Sequence, residues 1–480
     1  MKVEIPKTVN EVFRTQGQPT FTYVYREEGF YERKLQQSIE NRGTICLITG
    51  PSKTGKTSLY TRTASALGLH LVTARCDNDL TAKDVWKKAL EDVDFDRLTS
   101  RKSEKKTSSE VSGEVSGSFG WHWLAGLAGK MGTKLSKERG EEETRERILA
   151  DANPSHLVHV LKNLPALFVL EDFHYLAPSV QKTVFQQWKV FVDAEVSIVI
   201  VGTTHHAVDL AYANKELIGR LSHIDVPTWR SGDLRSIAEQ GFGVMNVSAS
   251  SDTLSTIARE SVGLPIVTQA VCLEMLLRRD ITQPQNSSST TSVTTAEAFE
   301  ALHAVAIEKF GVFSAIYDRL SLGLKKRRKY RTYELILLSF TYGELTFSST
   351  RWQIAERMSK LEIPKEEIPP PALLARTLQS LGALQEKMDV QLLEWRKQDE
   401  KLYIIEPTFL FYLRWRTPKK RPPSLIEILF EFKNLAQAVL GSKFDTKGAR
   451  LGMKAWSLGT KVGNDAGVID AEYVEVEDEK

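Results

Sequence analysis

Residues 44–57 read TICLITGPSKTGKT, and the fold turns on how that stretch is parsed. A short apolar run closed by glycine is what a strand buried on both faces of a parallel sheet looks like. GPSKTGKT (50–57) then carries the GxxxxGK[ST] spacing, and TSLYTRTASALG (57–68) continues as a helix. Strand, glycine loop and helix in this order form a cradle for phosphate. Gly50 and Gly55 let the backbone curl so that successive N–H groups point at phosphate oxygens, and the helix N-terminus adds its positive dipole end. Lys56 supplies a point charge for the β- and γ-phosphates, and Thr57 a hydroxyl for Mg²⁺. Pro51, Ser52, Lys53, Thr54 and Ser58 complete the loop and the first helical turn.

A second stretch, ALFVLEDFHYL (166–176), ends an apolar strand in two adjacent acids. Two buried negative charges need a positive partner, and a metal ion held at Thr57 would be one. Glu171 stands where the metal-holding acid belongs, and Asp172 where an acid would orient or deprotonate an attacking water. The longer side chain comes first, so hydrolysis is expected to be slow. The other reading has Glu171 capping the next segment and Asp172 alone on the metal. SIVIVGTTHHAVDL (197–210) is a third buried strand, where Thr203 or Thr204 either senses the γ-phosphate or ends a turn. Arg220 precedes the strand LSHIDV (221–226) and either reaches a neighbouring subunit's γ-phosphate or forms a surface salt bridge. In ARESVGLPIVTQAVCLEML (258–276) Pro265 fits a first helical turn that could close over an adenine base.

Working outward, strands at 44–50, 69–76, 166–170, 197–202 and 221–226 alternate with helices at 57–68, 154–164 and 178–193. That pattern predicts a parallel sheet covered on both faces. The 480 residues call for roughly two to four domains. With 41% hydrophobic and 26% charged residues the composition is that of a globular protein, and a formal charge of +3 leaves any basic surface to local clusters. Cys46, Cys76 and Cys272 are scattered, which argues against a disulfide framework or zinc site and for a reducing cytoplasm. No run reaches the about 18 apolar residues of a membrane span. The expected domains are an N-terminal segment (1–20), the phosphate-loop core (21–230, with an insertion at 101–147), a helical lid (231–323), a further module (324–416) and a C-terminal segment (417–480).

YREEGFYERKLQQSI, GPSKTGKTSL, VLEDFHYL, GTT and VGLP, in this order, resemble the ATPase core of the STAND class within the wider AAA+-like group. The resemblance covers residues 20–280 and more weakly the module to 416. It implies an α/β P-loop core followed by a lid and a winged-helix domain. It implies an ATP/ADP- and Mg²⁺-dependent switch between a closed monomer and an open homo-oligomer, of the kind used in bacterial defence or signalling. By position, Tyr25 and Arg26 would lie near the adenine or hinge, and Pro265 would contact the base.

The module at 332–416 reads as helices, then a two-stranded wing that includes LYIIEPTFLFYLRWR (402–416). Its recognition helix, near 370–381, offers only Arg376, Gln379 and Ser380 to bases. Two basic runs are stronger: KKRRKYR (325–331), which begins at Lys325 and ends at Arg331, and RWRTPKKR (414–421), bounded by Arg414 and Arg421. Either they neutralise nucleic-acid phosphates, making the chain a DNA-associated AAA+-like ATPase, or they are solvated linkers around an autoinhibitory module that answers to a protein partner.

Overall fold

The computed structural model describes Pro6 and residues 8–93, 149–202, 219–286, 291–323, 330–343, 345–361 and 363–417. All of these belong to one unit, residues 1–419, and the second unit, 420–480, lies outside the described residues. So do the insertion at 101–147, Thr203, Thr204, most of KKRRKYR, and the end of RWRTPKKR.

Five strands form the expected sheet: β1 (Ile45–Thr49), β2 (His70–Arg75), β3 (Ala166–Glu171), β4 (Ile198–Val201) and β5 (Leu221–Asp225), in the order β2-β3-β4-β1-β5. All neighbouring pairs are parallel. Alternation along β1 explains why it is apolar throughout. Ile45 and Leu47 join one core with Trp86, Phe168 and Phe191, whereas Cys46 and Ile48 join the opposite core with Leu35, Leu59 and Tyr60. Each fully buried Ile or Leu contributes about 1.5–3 kcal/mol relative to exposure. β4 lies between β1 and β3, so the ends of both motif-bearing strands flank its own end. The single helix expected at 178–193 is two, Pro178–Gln187 and Lys189–Asp193. They meet at Trp188, whose indole is buried against Phe173 and Phe185.

After β5 come helices Ser231–Val244, Ser251–Glu260, Pro265–Leu277 and Thr295–Ala304, then a π turn and helix Val312–Leu322. The polar stretch 283–297 is partly structured. Two-residue strands β6 (Ser248–Ala249) and β7 (Ser292–Val293) pair, and Thr294 and Glu297 form a reciprocal capping box. Val9, Val12 and Phe13 of the N-terminal segment are buried among these helices. Gly241 makes room there, since a Cβ at that position would meet the Phe13 ring at 2.2 Å.

The last described module has helices Thr332–Ser339, Arg351–Ser359 and Pro371–Glu386, with strands β8 (Ser348–Thr350), β9 (Leu393–Arg396) and β10 (Lys401–Ile404). The sheet is antiparallel, in the order β8-β10-β9, with one strand more than the two expected. The strand expected over 402–416 stops at Ile404, and Pro407–Trp415 is a helix. Pro407 has no N–H for the ladder and fits a first helical turn, where the Glu406 side chain accepts from the Thr408 N–H at 3.2 Å. Phe409, Leu410, Phe411, Leu413 and Trp415 are all buried, so this helix is apolar all round because it is central. It completes one continuous core shared with the helices after β5.

Candidate nucleotide-binding site

The phosphate loop leaves β1 at Gly50, with φ of 141°. A Cβ there would stand 2.1 Å from the Val226 carbonyl, so only glycine fits. Gly55, at φ 90°, is the N-cap of helix Lys56–Ala66. Thr54 is buried, and its hydroxyl donates to the Pro51 carbonyl at 3.0 Å. The Lys56 ammonium donates to the loop's own Gly50 and Pro51 carbonyls at 2.9 and 2.6 Å. Burial pulls its pKa down to about 8, against the charges of Asp172, Asp225 and Glu406. Trp229, just after β5, donates its indole N–H to the Thr54 carbonyl at 2.8 Å and so ties the loop to the segment entering the lid helices.

The two acids have different surroundings. Glu171 is buried, and one oxygen accepts from Thr57 Oγ1 at 3.1 Å and from the Tyr60 hydroxyl at 2.7 Å. The other accepts from Arg75 Nη2 at 2.8 Å. Burial alone would raise its pKa, but hydrogen bonds from Arg75 and Tyr60, the Arg75 charge and the Thr57 hydroxyl together hold it below the usual range. Asp172 sits one residue on, with φ of 57°, and lines the cleft beside Lys56. Burial and the neighbouring Glu171 charge raise its pKa, opposed by Arg75, Lys56 and Lys53. One carboxylate is thus favoured in its ionised form and hydrogen-bonded on both oxygens, whereas the other is shifted upward by burial and by its neighbour's charge. The capping alternative for Glu171 has no counterpart in its hydrogen bonds.

Tyr60 and Arg75 were not read from the sequence, although Tyr60 lies one helical turn beyond Thr57 and hence on its face. Arg75 ends β2 directly opposite Glu171 in the parallel register, which only the strand order reveals.

The cleft has a volume of about 1040 Å³ and runs from the loop past Asp172 and Asp225 to Pro265 and Gln269. Pro265 is the first residue of its helix, following a turn in which Val262 and Gly263 both take positive φ. Left-handed geometry at a β-branched residue is strained. The turn is held by the Trp229 N–H, which donates to the Gly263 carbonyl at 3.0 Å. Arg26 is buried, with its guanidinium over Tyr31 and Trp229 and a hydrogen bond to the Pro227 carbonyl. Tyr25 is 52% exposed, and its hydroxyl accepts from Arg62. Arg220 is exposed at the start of β5. The phosphate loop lies beyond the other end of the sheet, about 16 Å away at a strand's rise per residue, so Arg220 takes no part in its own chain's cleft.

Thr57 and Glu171 offer oxygen donors only, the chemistry of a hard cation such as Mg²⁺, which takes few protein ligands and completes its shell with phosphate and water. The residues fit that ion. Among the described residues no group of three or more His, Cys, Asp or Glu side chains could hold a metal. No described helix is long and apolar enough to cross a membrane.

Of the basic runs, Arg414 and Arg416 can be placed. Arg414 donates through Nε and Nη2 to the buried Glu260 at 2.6 and 3.0 Å. Arg416 stacks on Tyr317 and donates to its hydroxyl at 2.8 Å. On the recognition-helix candidate, Arg376 and Gln379 are exposed, while Ser380 is hydrogen-bonded to Tyr333 at 2.7 Å.

A family described as AAA domain matches residues 39–210. This chain has an AAA+-like P-loop core. No curated protein matches the chain. Among solved structures it is similar to a Walker-type ATPase of Pyrococcus abyssi, at 16% identity and a TM-score of 0.49, over 84% of this chain and 99% of that one. It is also similar to the ORC2 protein of Aeropyrum pernix, solved as ADPNP–ADP complexes, at 13% identity and a TM-score of 0.42, over 85% and 98% of the two chains. A third is the RuvB Holliday junction branch migration motor of Thermotoga maritima, at 13% identity and a TM-score of 0.37, over 82% and 96%.

Proposed function

We propose that this chain is an ATP-driven switch of the STAND type, hydrolysing slowly and changing shape or assembly state with the nucleotide it holds. One observation carries the reading. The module after the lid helices contributes Glu394, Arg396, Tyr403 and Glu406 to the wall of the cleft whose floor is the phosphate loop. A nucleotide there must meet this module directly, and a γ-phosphate adds charge beside Glu406, which already acts on Lys56. The Arg414–Glu260 pair joins the same helix to the lid, so displacement at its Glu406 end is felt at the other.

In this mechanism the backbone of residues 50–55 and the Lys56 ammonium hold the phosphates, with Ser52, Lys53, Thr54 and Ser58 completing the loop's contacts. Thr57 and Glu171 would hold Mg²⁺, which would supply charge neutralisation at the phosphates. Asp172 accepts the proton of the attacking water, a role its raised pKa suits. Pro265 packs on the base and Arg26 stiffens the hinge, with Tyr25 outside it. Thr204 senses the γ-phosphate, and Arg220 stabilises transferring charge in a neighbouring copy. Residues 332–415 are a winged-helix domain used as a brake. The DNA-associated reading loses Arg414 and Arg416, which are engaged within the fold, and rests on 325–331 and 418–421.

The test identifies the nucleotide that co-purifies, follows phosphate release, and compares hydrodynamic radius and mass with ADP and with a non-hydrolysable ATP analogue. A larger or heavier species with the analogue is expected. Identical radius and mass in both states would sink the switch while leaving nucleotide binding intact.

A further inference from the structure

Beyond Ser58 the cleft continues into a small pocket of about 60 Å³ beneath Pro265 and Pro19. Two acceptor atoms of residues lining it are buried with no hydrogen-bond partner: Gln269 Oε1 and Glu32 Oε2. Gln269 is only 4% exposed, so its oxygen is shielded from bulk solvent.

The orientation of the Gln269 amide is fixed by its neighbours. Its Nε2 contacts Thr22 Oγ1 at 2.6 Å, and the Thr22 hydroxyl donates to the Val12 carbonyl at 3.1 Å. A hydroxyl has one proton, so Thr22 can only accept from Gln269. Turning the amide over would set two acceptors against each other, and Oε1 is therefore the atom left over. Glu32 is arranged similarly, with Oε1 accepting from the Tyr23 hydroxyl and Oε2 without a partner. Buried acceptors without donors are uncommon, and two in one pocket mark a place where a ligand brings N–H groups.

We propose that Gln269 and Glu32 select the base, accepting hydrogen bonds from the exocyclic amine of a 6-aminopurine. This rests on the reading of the cleft as a nucleoside triphosphate site and adds its base specificity. The amine carries two N–H donors. A 6-oxopurine such as guanine or hypoxanthine presents a carbonyl oxygen at that position, and acceptor would face acceptor. A site built to bond one polar group rejects analogues that lack it, because its own buried groups are then left unpaired. Neither residue belongs to the phosphate loop or the acidic pair, so both act on which base is held rather than on the reaction.

The experiment is a calorimetric series on the full chain with ATP, ITP, GTP and purine riboside triphosphate, which has no substituent at the 6 position. ATP should bind at least about tenfold more tightly than ITP or GTP, with the unsubstituted purine between them. Gln269→Leu, near in size but without the acceptor, should narrow the gap between ATP and ITP from both sides, weakening ATP and relieving the acceptor–acceptor clash with ITP. Equal affinity of the unaltered chain for ATP and ITP overturns the selection while the nucleotide site stands. No affinity for any of the four overturns the nucleotide reading and the inference with it. The nucleotide series needs no substitution, so it decides the matter even where Gln269→Leu fails to fold.

Discussion

At the phosphate end of the cleft, Gly50, Gly55, Lys56 and Thr57 come from eight consecutive residues; at the base end, Pro19, Glu32 and Gln269 come from three separate segments. The first group is positioned by local geometry, by a strand, two left-handed glycines and a helix N-terminus. The second exists only when the N-terminal segment and the helix Pro265–Leu277 are both docked on the core. A loop made of neighbours keeps its shape when distant elements shift. A pocket made of distant elements is lost when any one of them moves. Nucleotide charge and nucleotide identity should therefore respond to different substitutions, and that separation can be broken experimentally.

The largest effect should come from Asp172→Asn. If Asp172 takes the proton of the attacking water, phosphate release should fall by about 10³-fold with nucleotide affinity and base preference nearly unchanged. Glu171→Gln should instead weaken magnesium-dependent binding, because it alters the carboxylate held by Thr57, Tyr60 and Arg75. Equal losses of turnover and affinity in both variants would show that the two acids act as one unit. Next comes the Arg414–Glu260 bridge between the last described module and the lid helices. Arg414→Ala leaves Glu260, 4% exposed, with only its neighbour Arg259. Stranding a buried charge should lower unfolding free energy by about 3 kcal/mol in denaturant titration. It should also erode ATP-over-ITP preference in the folded fraction, with triphosphate binding retained. Unchanged preference would mean that the base pocket does not depend on this bridge.

Lys56→Ala comes third. It removes a charged donor at the contiguous end, so affinity for every triphosphate should drop by about 30-fold, with their ratios preserved. A change in the ATP:ITP ratio would contradict the division between the two ends.

That division also accounts for what the sequence made legible. The phosphate loop, the acid-ended strand and the helix beginning at Pro265 are local patterns, because each is decided by residues within one or two turns of one another. The alternation of apolar strands and helices placed β1 to β5 within a residue or two. Arg75, Trp229 and Gln269 were not legible, since their partners Glu171, Thr54 and Thr22 lie far away in the chain. The segment 402–416 misled for a related reason. Its near-continuous apolar run fits a buried strand as well as a central helix, and Pro407 was the residue that decided between them.

The smallest effect is a pH dependence confined to the phosphate end. Burial holds Lys56 at about 8, well below its ordinary value, with the ammonium resting on the loop's own carbonyls. Phosphate oxygens favour the charged form, so the pKa of Lys56 must rise when a triphosphate binds. Between about 8 and that higher value the complex carries a proton the free protein lacks, and binding takes one up. Affinity should be flat with respect to Lys56 below about pH 8 and fall above it by up to roughly tenfold per pH unit. Calorimetry in buffers of different ionisation enthalpy reads the proton uptake directly. The uptake should be the same for ATP and ITP, because Lys56 meets only the phosphates. It should vanish in Lys56→Ala, whereas a persisting uptake would assign the titration to a group other than Lys56.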